Sequence, residues 1–315
     1  MTQPSLTIVI AAWPDLAGLE PCLQAVAPQR DATTEVIVVA RVAFPRTIAD
    51  RFPWVCWRSA PSWSLTPHLW AEGMRQARGE VIALTTSQFL PATDWAQRIG
   101  QAYSTGLWSA VGGRIDPPRR QGATAWATYF LRYSAYLNYD RPQPVPDLAG
   151  DNAAYRREAL DRHPAWQKNG FWEQDLHQAL RAEGEELRFD PAIRVVQQGS
   201  LGFWCFIGQR WRHGQQFGQT RMCGRSLAFR AAGLLAAPLV PAVLLARIVG
   251  RVARSRRDFG PFLLALPLLL CFVLAWATGE ACGYARTLWP RASIRRPGRL
   301  RPAIRATNSH SEVRS

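Results

Sequence analysis

Two carboxylates set the chemical question. Glu173 and Asp175 stand in the run Phe171-Trp172-Glu173-Gln174-Asp175-Leu176, ahead of Leu180-Arg181-Ala182-Glu183-Gly184. Their spacing places both in the first turn of an expected helix, beside aromatic side chains. A carboxylate so placed can take a proton from a hydroxyl as a general base. The plainer reading is that acidic side chains suit the positive end of a helix dipole. A second polar group is Gln209-Arg210-Trp211-Arg212-His213-Gly214. It can present cations and a ring to a ligand, or rest its Arg and Trp at lipid headgroups. His177 and His213 pair with no nucleophile or metal set in the sequence and read as surface or packing residues.

The elements that must position these groups alternate. Leu6–Ala12 is a short β-branched run that reads as a buried strand. Leu16, Leu19, Leu23 and Val26 then recur at helical spacing. Further strands are expected at Glu35–Ala40, Trp54–Arg58 and Val81–Leu84, with helices over Pro67–Ala77 and Pro91–Tyr103. Gly112-Gly113-Arg114-Ile115 continues the sheet. Such alternation implies parallel strands with right-handed crossovers and a ligand beyond their C-terminal ends. Those ends are Ala11–Trp13, Ala40-Arg41 and Thr85–Gln88. Trp126–Tyr139 is rich in aromatics, which fits a packed helix better than a sugar-stacking or membrane-facing wall. Arg141–Pro146 reads as a Pro-rich loop placed to cover the site.

Several of these segments, taken in order and spacing, resemble family 2 glycosyltransferases over about residues 5–222. They are Ile8-Val9-Ile10, Leu19–Leu23, Glu35–Val39, Ala77–Leu84, Pro91-x-x-Asp94-Trp95, Gly150–Leu160, and Glu173-x-Asp175-Leu176 with Leu180-Arg181-x-x-Gly184. The resemblance implies an α/β, GT-A-like (nucleotide-diphospho-sugar transferase) fold: a mixed, mostly parallel sheet with flanking helices. It implies inverting transfer of a sugar from a nucleotide-diphospho-sugar donor. Glu173 is the closest match to the base, with Asp175 as the alternative or an orienting partner. The donor would meet Ala11, Trp13, Arg78, Thr86, Ser87 and Gln88. The acceptor would meet Asp151, Asn152, Gln209, Arg210 and Trp211.

Two acidic positions of that pattern are not acidic here. The Asp expected at the end of the second strand is Ala40, followed by Arg41. The Asp-x-Asp-like metal motif after the fourth strand is Thr85-Thr86-Ser87-Gln88. Mg²⁺ and Mn²⁺ favour anionic oxygen ligands, so their usual acidic ligands are absent and the metal site is unassigned. Three explanations stand. Arginines such as Arg78, Arg210 or Arg212 neutralise the diphosphate without a metal. The donor is unusual. Or the chain is a catalytically dead relative, a binding or scaffold protein of a membrane glycan-assembly pathway.

Charge and hydropathy shape the remainder. The formal net charge is +15, and the excess gathers from Arg210 onward, which points to an anionic membrane surface or to nucleic acid. The basic tail has no interleaved aromatics or nucleic-acid module, so nucleic acid is not expected as a partner. Ala231–Ala246 is uncharged for 16 residues and Phe259–Gly279 for 21. As helices these would span roughly 24 Å and 31 Å against a hydrocarbon core of about 30 Å. The arginines of 247–257 and of the tail oppose a simple two-span topology, by the positive-inside tendency. A membrane-embedded pair of helices or half-helices with both flanks inside is preferred over two ordinary spans. Cys22, Cys56, Cys205, Cys223, Cys271 and Cys282 form no metal or redox spacing and read as reduced. No signal peptide is evident at the N-terminus.

The expected organisation is therefore a transferase-like domain over 1–225, a hydrophobic helical hairpin over 226–285, and a basic disordered tail over 286–315. The expected setting is the cytoplasmic face of a bacterial inner membrane. The expected partners are a nucleotide-sugar donor, a lipid-linked or polymeric glycan acceptor in polysaccharide biosynthesis, and membrane lipids.

Overall fold

Strand β1 (Leu6–Ala12) is apolar except for Thr7, whose buried hydroxyl donates to Glu35 and accepts from the N–H of Gly79, because both of its faces are covered inside the sheet. The structure, a computed structural model, describes residues 5–13, 16–118, 122–198, 202–222 and 224–288. In chain order, α1 (Leu19–Val26), β2 (Thr34–Ala40), α2 (Arg46–Arg51), β3 (Val55–Ser59), α3 (Thr66–Gln76) and β4 (Val81–Thr86) follow β1. Next come β5 (Phe89–Pro91), α4 (Trp95–Ser104), β6 (Ala110–Asp116), α5 (Ala123–Tyr133), β7 (Gln143–Val145) and β8 (Ala153–Arg156). The chain continues through α6 (Arg157–Arg162), α7 (Trp166–Asn169), α8 (Glu173–Ala182), β9 (Leu187–Gln197) and α9 (Phe203–Met222). It closes with α10 (Leu227–Ala236), α11 (Val240–Ser255) and α12 (Phe259–Leu288).

Strands β3, β2, β1 and β4 are parallel neighbours, as the alternating pattern implies. Strand β8 then enters antiparallel between β4 and β6, and β9 and β5 follow, giving a mixed, mostly parallel sheet. The expected helix over Pro91–Tyr103 is in fact a short strand followed by α4, since β5 pairs with β9 as far as Pro91. Residues 141–146 are not simply a loop over the site. They contain β7, which pairs with β9 alone, an edge position where Pro144 costs no ladder bond. The aromatic segment is mostly core: Trp126, Tyr129, Phe130 and Tyr133 are buried, and Phe130 meets Phe262 at 5.1 Å.

The boundary expected at 225 does not divide the packing. Phe262, Ala265, Leu269, Phe272 and Val273 of α12 join the same core as the sheet, along one helical stripe. The opposite side of α12 exposes Leu263, Leu264, Leu270 and Leu274, and α10 and α11 expose Leu235, Leu239 and Val243. Helices α9 and α12 cross at backbone contact. Gly214 and Gly218 face Gly279 and Gly283, and a Cβ on Gly218 or Gly283 would lie 2.5 Å from the carbonyl of Glu280 or Gln215. The turn between α11 and α12 also touches the sheet domain, where Arg257 pairs with Asp140 at 3.1 Å. The tail expected from 286 begins inside α12, where Arg286 donates to Gln215 at 3.2 Å. Residues 289–315 lie outside the described residues.

Candidate active site

A cavity of about 540 Å³ opens beside the C-terminal end of β4, enclosed by α3, α5, α8, α9 and α12. Trp70 of α3 forms part of its wall and donates through its indole N–H to the carbonyl of Thr85 at 2.9 Å. Glu173 enters as the first residue of α8, because Trp172 before it is extended and the chain turns helical there. Both readings of the acidic first turn therefore hold together: the carboxylates suit the helix dipole, and they line the cavity. Glu173 keeps some surface open to the cavity, yet it is surrounded by protein. Lost hydration pushes its carboxyl up to about 7, and Asp151 and Asp147 add to that against its own backbone N–H and Arg132. Asp175 sits at the exposed rim, its carboxyl raised by partial burial.

Asp151 is buried in the cavity wall. Its Oδ2 accepts from Arg132 at 2.5 Å and from the Tyr133 hydroxyl at 2.8 Å, while Oδ1 has no partner. Asn152, expected to meet the acceptor, does not. Its Oδ1 accepts from Trp95 at 2.7 Å and its amide donates to the carbonyls of Arg114 and Ile193, each at 3.0 Å. It is a bracket that ties three elements together, buried and outside the cavity lining. Gly150, ahead of both, has no room for a side chain. A Cβ would stand 2.9 Å from the ring of Trp70 and 3.3 Å from Cδ of Glu173.

Helix α9 offers Gln209, Arg210 and His213 to the cavity, at the spacing of one helical face. Trp211 does not join them. It is 38% exposed, and its backbone lies against Gly279 on another side of the helix. Arg210 lies over the rings of Phe206 at 4.9 Å and Trp276 at 5.6 Å and donates to Nδ1 of His213 at 3.0 Å. Burial, then the like charge of Arg132, pushes its guanidinium down to about 9. His213 is neither a surface nor a plain packing residue: it lines the cavity, edge-on to Trp172 at 5.8 Å. His177 is buried too, held between Asp147 and the Tyr155 hydroxyl, the latter at 3.0 Å. The sequence reading missed Arg132, Asp147 and Trp276. An arginine inside the apolar run Phe130-Leu131-Arg132-Tyr133 was a signal that it needed a buried partner.

None of the six donor candidates lines this cavity. Ala11, Trp13, Thr86, Ser87 and Gln88 do gather at the C-terminal edge of β1 and β4, where Ser87 donates to the carbonyl of Ala11 at 3.0 Å. Ala11 itself is wholly buried. Arg78 lies at the other end of the sheet, before β4 begins, bound to Glu35 at 2.8 Å. It cannot serve a ligand at the strands' C-terminal edge. Arg41, in place of the expected acid, stacks on Trp13 at 5.3 Å. The metal of the fold family has no fitting donor set here. Thr85 and Ser87 supply buried hydroxyls without partners, and among the described residues no three of His, Cys, Asp or Glu gather as ligands.

The chain superimposes on a mannosyltransferase from Pyrobaculum calidifontis solved with GDP-Man and Mn²⁺. The TM-score is 0.53 at 18% identity, over 93% of this chain and 89% of that one. A weaker likeness is to GalNAc-T7 with UDP, GalNAc and Mn²⁺, with TM-score 0.46 and 14% identity over 62% of this chain and 44% of that one. The likeness to the mannosyltransferase is one of fold, and the fold is GT-A-like. Compared with protein-family models and with curated proteins, the sequence matches none.

Proposed function

We propose that the chain is a membrane-associated inverting glycosyltransferase of the family 2 type, acting on a nucleotide-diphospho-sugar. Glu173 takes the proton of an acceptor hydroxyl as that oxygen bonds to the anomeric carbon. The bond from that carbon to the diphosphate breaks, and its electron pair leaves with the nucleoside diphosphate. The observation that supports the reading is Glu173 itself: a carboxyl whose proton affinity is raised to the working range of a base, in a cavity of sugar size, on a GT-A-like fold. The test is transfer from a panel of nucleotide sugars, with Glu173→Gln beside the wild type. Turnover by the wild type that vanishes in Glu173→Gln, with folding intact, supports the reading. Turnover retained by Glu173→Gln removes the base, and no turnover by either leaves the dead, scaffold-like relative.

The acceptor in this reading is a lipid-linked or polymeric glycan at the cytoplasmic face of a bacterial inner membrane. Two helical stretches, Leu227–Ser255 and Phe259–Leu288, are long and apolar enough to cross a bilayer. The contact of Arg257 with Asp140 keeps the turn between them beside the sheet domain. A two-span hairpin would carry that turn to the far side, about 30 Å away. The helices lie in the membrane surface instead, with their leucines in lipid and their arginine-rich ends in the cytoplasm.

A further inference from the structure

The two donors that the cavity leaves unsatisfied are on one face of α9. Arginine has only donors, so the 3.0 Å contact makes Nδ1 of His213 the acceptor. The ring proton then stands on Nε2. Burial, with the positive charges of Arg210 and Arg132, keeps the imidazole neutral by holding it well below its ordinary value. Nε2–H of His213 is buried without a partner, and so is Nε–H of Arg210. Among the described residues, the charged cluster offers Arg210 no carboxylate as an ion-pair partner. Asp151 pairs through Oδ2 with Arg132 at 2.5 Å and acts on Arg210 only as a nearby charge, and Glu280 pairs with Arg221 at 3.4 Å. Leaving buried donors unmade costs about 1–3 kcal/mol each, more for a charged group. Such a cost persists in a folded protein where a ligand meets it.

We propose that Arg210 and His213 form a metal-free phosphate site, in which two oxygens of a phosphate-bearing ligand accept from Nε–H of Arg210 and Nε2–H of His213. The inference rests on the transferase reading only for which phosphate is bound. A guanidinium suits the task because it stays charged at neutral pH and presents its donors in a rigid fork. Trp70, whose indole reaches the carbonyl of Thr85 at the sheet edge, lines the same cavity as the site, and so do Phe217 and Trp276. The phosphate bound is the leaving diphosphate of a donor or the phosphate of a prenyl lipid. In either case the charge that a divalent cation carries in the fold family is carried here by α9, in keeping with the carboxylate-free run at Thr85–Gln88.

Calorimetry on the full chain in excess EDTA tests this, with UDP and GDP in one arm and farnesyl monophosphate in the other. Binding of a nucleotide identifies the donor's diphosphate, and binding of farnesyl monophosphate identifies a lipid phosphate. Arg210→Gln should weaken whichever binds roughly 10- to 100-fold, and His213→Phe severalfold. Arg98→Gln, at an exposed position of α4, should change nothing. Thermal unfolding gives an independent readout. Without ligand, Arg210→Gln should melt higher than wild type, because a desolvated cation with no ion-pair partner has gone. Absence of binding in EDTA by every probe, equal affinity of Arg210→Gln, or a lower melting point for it would each overturn the proposal. A protein that binds in EDTA through Arg210 yet transfers no sugar keeps this site and loses the catalytic reading.

Discussion

The indole of Trp70 and the carboxyl of Glu173 close on Gly150 from two sides, and the missing Cβ is what lets them do so. Trp70 in turn anchors on the carbonyl of Thr85. The base candidate is thereby set against the end of β4 through one glycine and one ring. Gly150→Ala should displace both side chains, at about 1–3 kcal/mol of overpacking cost. The expected outcome is a modest fall in melting temperature with at least a tenfold fall in kcat, read by thermal unfolding and steady-state transfer. A kcat equal to wild type would show that Glu173 does not need this placement.

The raised carboxyl of Glu173 gives a pH signature. Below about 7 it holds its proton and cannot accept another, so transfer should rise with pH through that value and flatten above it. Stability runs the other way. A carboxyl with a folded value above its unfolded one supports the fold at low pH, and this support is lost as pH rises from about 4.5 through about 7. Glu173→Gln should therefore gain melting temperature relative to wild type at pH 8 and show no gain at pH 4. Parallel melting curves across that range would contradict the placement.

Asp151 and Arg132 form a buried pair, and breaking one side strands the other. Asp151→Asn should cost about 3–5 kcal/mol in urea unfolding. Adding Arg132→Met to it should recover most of that, since no charge is then left without a partner. If the single variant is as stable as wild type, the pair is not the closed unit described.

The exposed leucines of the C-terminal helices carry the membrane prediction. Each buried leucine is worth about 1.5–3 kcal/mol of transfer. Leu235→Glu with Leu264→Glu should lower sedimentation with anionic vesicles at least tenfold while leaving the sheet domain folded. Unchanged sedimentation would place lipid contact elsewhere.

Much of the sheet was legible because its signals are local. A β-branched, largely apolar run at Leu6–Ala12 marks a strand covered on both faces, and that strand has the expected bounds. The positions of Glu173 and Asp175 were legible for the same reason, since a helix start needs only neighbouring residues. What escaped depends on contacts far apart in sequence. The Asn152 amide donates to the carbonyls of Arg114 and Ile193, 38 and 41 residues away, so its structural role could not be read locally. Trp211 and His213 are neighbours, and only the crossing with α12 decides which of them faces the cavity. The role of α12 was hidden in another way. A run apolar on all sides reports that a helix is covered, and it does not say that the fold covers one side and leaves the other exposed.

The glycine crossing has a mechanical consequence. With Gly214, Gly218, Gly279 and Gly283 at backbone contact, no layer of side chains lies between α9 and α12 to absorb displacement. Under the membrane-associated reading proposed above, pressure on the exposed leucines of α12 is expected to pass through this crossing to the wall that carries Arg210 and Trp276. That reading predicts that the width of the cavity and the rate of transfer change with membrane tension.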